Sequence, residues 1–182
     1  MGRLIRRMQF GMMAGVCSLA LAMAPVPRQA DPMTITMPSG KKTELSAYKG
    51  KVVLVQFLFT TCQHCQLAAE VYAKLQRELG PSGFQAVGVA FNDEVQASPA
   101  MVEEFKSKHG VNFPVGTVSR AEVLKYLGMS QMEMLRVPQI VIIGRDGVVR
   151  VQSETKGSPE LQDEAHMRTL LKGLLNSAKP AN

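Results

Sequence analysis

The chain has 182 residues, 46% hydrophobic and 20% charged, enough for one domain with a sizeable core and too few for two. Twenty-one Lys and Arg against fifteen Asp and Glu give a net charge of +6, yet only 5% of residues are aromatic and Trp is absent, which argues against a base-stacking nucleic-acid surface. Three cysteines are too few for a disulfide-stapled scaffold, and the composition excludes disordered, collagen-like and multi-span membrane classes.

The first thirty residues hold arginines and no acid. Arg3, Arg6 and Arg7 precede an uncharged stretch from Met8 to Pro27 that is mostly small or apolar, the layout of a secretory signal. Ala20-Leu21-Ala22 offers a cleavage site before Met23; a cut after Ala24 would leave Pro25 beside it. The alternative is an uncleaved N-terminal membrane anchor, because the uncharged run reaches spanning length. Arg6-Arg7 with Phe10 matches a twin-arginine signal weakly, and Ala14-Gly15-Val16 ahead of Cys17 lacks the residue order of a lipoprotein. Either reading leaves the arginines inside and the remaining chain outside the cytoplasm, in the periplasm or an equivalent space. The expected organisation is a signal peptide or anchor over 1–24, a Pro-rich linker over 25–32, one domain over 33–178 and a tail over 179–182.

Residues 33–37 alternate polar and apolar, Pro38-Ser39-Gly40 turns, and 41–45 can pair back as a hairpin. Residues 51–59 (KVVLVQFLF) form a nearly continuous apolar run, as a strand buried on both faces requires. Leu67, Val71, Leu75 and Leu79 recur at four-residue spacing, so 63–79 is a helix stopped by Gly80-Pro81. Residues 84–91 read as a second buried strand. Ser98-Pro99 opens a helix ending at Gly110, and 113–118 is a short strand. Ser119 and Glu122 form a capping box for a helix closed by Gly128. Residues 139–143 and 148–152 flank Asp146-Gly147 as an antiparallel hairpin, and Ser158-Pro159 opens a last helix. The order βαβα, short strand and helix, then ββα describes an α/β sandwich with a mixed central sheet.

Cys62-Gln63-His64-Cys65 stands where the first buried strand meets the following helix. At a helix N-terminus the unpaired N–H groups and the dipole stabilise an anion, so Cys62 is expected as an exposed thiolate nucleophile. One turn on, Cys65 can reach back to form the Cys62–Cys65 disulfide and resolve a mixed disulfide by internal attack. A partly protonated His64 between them would lower the Cys62 pKa further. Val137-Pro138 ahead of the 139–143 strand is a candidate cis-proline, although local sequence alone favours trans.

Leu45-Ser46-Ala47-Tyr48-Lys49-Gly50-Lys51 leading into VVLVQF, the CQHC motif, Val137-Pro138 and Gly144-Arg145-Asp146-Gly147 together resemble a thioredoxin-fold thiol–disulfide oxidoreductase of the TlpA/ResA-like redoxin group. The resemblance spans 33–178. It implies a thioredoxin-like three-layer α/β sandwich with an N-terminal β-hairpin extension. It also implies a cis Pro138, with Val137 offering its backbone to an extended substrate. The implied partners are protein thiols or disulfides and a membrane electron donor or acceptor, with no nucleic acid, no metal and no cofactor beyond the redox disulfide. The implied role is reduction in cytochrome c or metalloprotein maturation. The chain departs from thioredoxin at Gln56, where thioredoxin has a buried Asp, at Thr61, where it has Trp, and at Gln63, which is not Pro. His64 and the missing acid are similar to the oxidising DsbA group, so oxidation of exported proteins is the opposite expectation. Sco-like copper delivery would draw on the cysteines with His64, His109, His166 or Met129, Met132 and Met134. A peroxiredoxin-like peroxidase would need Pro and Thr where Val55 and Phe59 stand.

Overall fold

Every side chain of β4 (Val52–Leu58) is buried, as its unbroken apolar run requires of a strand covered on both faces. In the computed structural model, which describes residues 23–92 and 97–177, β4 lies at the centre of the sheet. It runs parallel to β5 (Phe84–Ala90) and antiparallel to β7 (Gln139–Ile143), so the sheet is mixed. Further out on one side lie β8 (Val148–Gln152) and β1 (Arg28–Gln29). On the other side β6 (Val115–Thr117) joins the hairpin of β2 (Thr34–Thr36) and β3 (Lys42–Glu44), completing the order β1-β8-β7-β4-β5-β6-β2-β3.

Alternation along β4 divides the core in two. Val52, Leu54 and Leu58 pack with α1 (Gln63–Leu79), α2 (Pro99–Lys108) and α4 (Glu164–Asn176). Val53, Val55 and Phe57 pack with α3 (Arg120–Leu127) on the opposite face. The result is the expected three-layer thioredoxin-like α/β sandwich carrying an N-terminal hairpin. Among the described residues no helix is long and apolar enough to cross a membrane. The expected leader through Ala22, with Cys17, and the tail over 179–182 lie outside the described residues.

Three details differ from the sequence expectation. The stretch taken as a linker contributes β1, with Arg28 opposite Val149 and Gln29 opposite Val148. A two-residue strand carries no periodicity to read; it is held by the Arg28 guanidinium, which donates to the Tyr126 carbonyl at 2.9 Å and lies 5.7 Å from that ring's centroid. The last helix begins at Glu164 rather than at Pro159. Ser158 Oγ accepts from Glu154 N instead of capping forward, so Pro159–Gln162 closes as a 3-10 turn. Asp163 then caps α4 by accepting from His166 N at 2.8 Å. The buried face of α1 is Cys65, Ala68, Ala69, Tyr72, Ala73, Leu75 and Leu79, while Leu67 is 54% exposed. Four-residue steps drift about 40° each on a 3.6-residue helix, so Leu67 and Leu79 cannot share one face.

Candidate active site

The chain leaves β4, turns through Thr60 and Thr61, and enters α1 with Cys62 as its N-cap in extended conformation. Cys62 is half-buried and Cys65 fully buried, and both are free thiols. Cys65 N–H donates to Cys62 Sγ at 3.4 Å, so the nucleophile's own sulfur satisfies one of the helix's unpaired donors. This geometry holds the Cys62 thiol down at about 6. The Cys65 thiol donating to it is the largest cause; burial opposes, and the backbone N–H groups of Cys65 and His64 help. The charge of exposed His64 contributes least, so first-turn geometry outweighs the residue that sequence reasoning singled out for tuning. Burial drives the Cys65 thiol strongly upward, reinforced by its hydrogen bond to Cys62 and by that sulfur's charge. One sulfur is therefore prepared to ionise and the other is held as a thiol.

Val137 comes from across the sheet, 75 positions away in sequence. Its carbonyl oxygen lies 3.8 Å from Cys62 Sγ, and the Val137-Pro138 peptide is cis. A backbone segment at β7's entrance thus borders the nucleophile, where an extended peptide can pair with it.

Sequence reasoning missed the residues that fix these two approaches. Gln139, fully buried, donates from Nε2 to the carbonyls of Arg136 at 2.8 Å and Glu154 at 3.0 Å, tying the residues before Pro138 to those after β8. The polar residue inside an apolar strand was the available signal. Gln139→Leu is expected to cost about 1–3 kcal/mol in urea unfolding, because it removes two part-buried hydrogen bonds to backbone carbonyls, each worth about 0.5–1.5 kcal/mol. Asn92 accepts from Thr60 N at 3.0 Å and donates to Thr60 Oγ1 at 3.1 Å, bracing the turn before Cys62. Asn92 has φ +22°, a region that Asn tolerates better than most residues, and its position at the end of β5 was the one hint. Gln66 donates to Thr60 O at 2.9 Å from the other side.

Gln56, noted as a departure, lies under the motif. Its Nε2 donates to the Cys65 carbonyl at 2.8 Å. The residues considered for copper are scattered in their roles: His109 Nδ1 is 2.9 Å from Glu70 Oε1, His166 is exposed on α4, Met129 is in the core, and Met132 and Met134 are exposed. Among the described residues no three His, Cys, Asp or Glu side chains converge. Val55 and Phe59 belong to the apolar cluster on the α3 face, with the Phe59 ring edge-on to Phe91 at 4.8 Å.

Comparison with known proteins agrees with this arrangement. The family model described as Redoxin matches residues 26–171. Thiol-disulfide oxidoreductase ResA of Bacillus subtilis is 30% identical over 126 residues, 69% of this chain and 65% of that protein. ResA of Bacillus thuringiensis is 25% identical over 130 residues, 71% of this chain and 69% of that protein. Among solved structures, a thioredoxin-family thiol:disulfide interchange protein from Chlorobium tepidum superposes with a TM-score of 0.66 at 21% identity, covering 84% of this chain and 99% of that one.

Proposed function

Because the chain belongs to the redoxin family and is a thiol–disulfide oxidoreductase, we propose that it works outside the cytoplasm as a reductant of protein disulfides. Cys62 attacks a substrate disulfide, Cys65 resolves the mixed disulfide, and the Cys62–Cys65 disulfide is the redox group, with no bound metal or cofactor. Val137 and Pro138 receive the substrate backbone, and His64 adds a minor stabilisation of the Cys62 thiolate. A membrane protein supplies the electrons, and the substrates are disulfides of exported proteins such as oxidised apocytochrome c or metalloprotein precursors, which leave as thiols.

The observation that carries the direction is the half-buried Cys62, whose thiol at about 6 stands closer to thioredoxin's, near 7, than to that of the strong oxidant DsbA, near 3.5. A less stabilised thiolate stabilises the dithiol form less, which makes a better electron donor. The arginine-led apolar N-terminus supports the compartment.

Equilibration of the cysteine pair with dithiothreitol or glutathione buffers tests the direction. The expected potential lies below about −180 mV. A value near the −120 mV of a strong oxidant would reverse it and make the protein an oxidant of exported chains.

A further inference from the structure

Residues 23–30, expected from sequence as the end of the leader and a linker, are built into the domain. Met23 packs against the core cluster on the α3 face, and Ala24 N donates to the Leu127 carbonyl at 3.1 Å. The chain then runs into β1, where Arg28 and Gln29 pair with β8, and Ala30 N donates to the Gly147 carbonyl at 2.9 Å. The segment is a strap, not a tether.

Gly128 is fitted to this strap. It follows α3 with φ +72°, and a Cβ there would lie 2.5 Å from Ala24 N and 2.7 Å from Ala24 Cβ. Glycine is needed twice over, for the left-handed turn and for the strap to pass. The last carbonyls of a helix have no partners within it, and the strap supplies two of the donors that α3 receives. Leu127 O accepts from Ala24 N and from Gln152 Nε2 at 2.9 Å, and Tyr126 O accepts from the Arg28 guanidinium at 2.9 Å.

The strap distinguishes three fates of the leader. A cut after Ala24 would remove Met23 and Ala24, empty the space beside Gly128 and take one donor from Leu127 O. An uncut anchor would keep only residues 8–22 as its uncharged run, about 22 Å of helix against a hydrocarbon core of about 30 Å. A run of that length suits the apolar region of a cleaved signal, and Ala20 and Ala22 are small residues placed directly before the strap.

We propose that the Ala22–Met23 peptide bond is the processing site of this chain, hydrolysed by a signal peptidase on export. Water adds across the bond: its hydroxyl goes to the Ala22 carbonyl carbon, its proton to the Met23 nitrogen. The new α-ammonium stands one residue from Ala24 N, at the negative end of the α3 dipole. Met23, Ala24 and Val26 also border residues 152–155, and the Glu154 carbonyl accepts from Gln139 at the entrance of β7. Hydrolysis therefore removes residues 1–22 from the end of the sheet at which Cys62 reacts. It also frees the domain, so that a membrane electron donor meets it by diffusion. The assignment rests on the extracytoplasmic reading above.

The test is to express the full chain with its leader in a Gram-negative host and to read the N-terminus of the product in the osmotic-shock fluid by Edman sequencing and intact mass. The expected start is residues 23–27, MAPVP. An exported product starting at Pro25 or anywhere else, or an intact chain in the membrane fraction, would overturn the site and leave the compartment standing. An intact chain confined to the cytoplasm would overturn both. In the exported product, Gly128→Asn is compared with Gly110→Asn. Both glycines have positive φ, which Asn tolerates, but a Cβ at 110 meets nothing within 4 Å. Gly128→Asn is expected to melt about 4 °C below Gly110→Asn, because its side chain displaces Ala24. Equal Tm values would overturn the place of Ala24 in the mature fold. The N-terminal sequence carries the test alone if Gly128→Asn does not fold.

Discussion

Cys62→Ser is expected to reduce turnover of insulin disulfides to the uncatalysed background, while Cys65→Ser performs the first attack and stops there. The two thiols differ in what surrounds them rather than in their chemistry. Cys62 is the α1 N-cap, reachable by solvent, and its sulfur accepts from Cys65 N. A serine hydroxyl there stays protonated and is no nucleophile toward sulfur at neutral pH. Cys65 is buried one turn on, where no protein disulfide can reach it, and it meets only what Cys62 has already bound. Its replacement leaves the mixed disulfide with no internal thiol to resolve it, so a covalent adduct accumulates and is visible on non-reducing gels. Retention of insulin turnover by both variants would sink the mechanism; an adduct in Cys62→Ser but not in Cys65→Ser would exchange the two roles.

The sequence exposed the parts of this site that are local. The apolar β4 run, the CQHC motif and the α1 period follow one another within thirty residues, and periodicity alone placed the cysteines at a strand-to-helix junction. The capping box at Ser119 and the β7–β8 hairpin were legible for the same reason, since their partners are a few residues apart. What stayed hidden depends on contacts between distant residues. Gln139 reads as one polar residue in a strand until the fold brings the Glu154 carbonyl to its amide. Asn92 reads as a loop residue until β4 and β5 pair and set it against Thr60, 32 positions earlier. His64 is a matter of degree: its charge lowers the Cys62 thiol, as expected, but is the smallest of the causes. Its charge is conspicuous in the motif, yet it is exposed, and solvent weakens its hold on Cys62 compared with the buried thiol and the aimed N–H groups beside it.

The rate of the first attack is expected to rise about a hundredfold between pH 4 and pH 8 and then level, since a thiol titrating near 6 passes from about 1% to about 99% thiolate over that span. The same titration marks stability and potential. Cys62 ionises more readily in the folded dithiol protein than in the unfolded chain, so its contribution to stability is complete above the ordinary thiol value near 8.5 and is lost as pH falls through 6. Cys65 acts in the opposite sense: held as a thiol when folded, it contributes fully below about 8.5 and loses that contribution as the unfolded thiol ionises. The dithiol protein should therefore be most stable near pH 8 to 9. The disulfide form lacks both groups, so the difference in Tm between the two forms isolates the effect. For the potential, reduction below pH 6 takes up two protons with two electrons and falls about 59 mV per pH unit; above pH 6 it takes up one and falls about 30 mV. The break belongs to Cys62 and should persist, slightly displaced, in His64→Ala, because the His64 charge is the smallest of the causes lowering the Cys62 thiol. A slope that stays near 59 mV through pH 8 would mean that both sulfurs remain protonated and that the α1 N-terminus does not prepare its nucleophile.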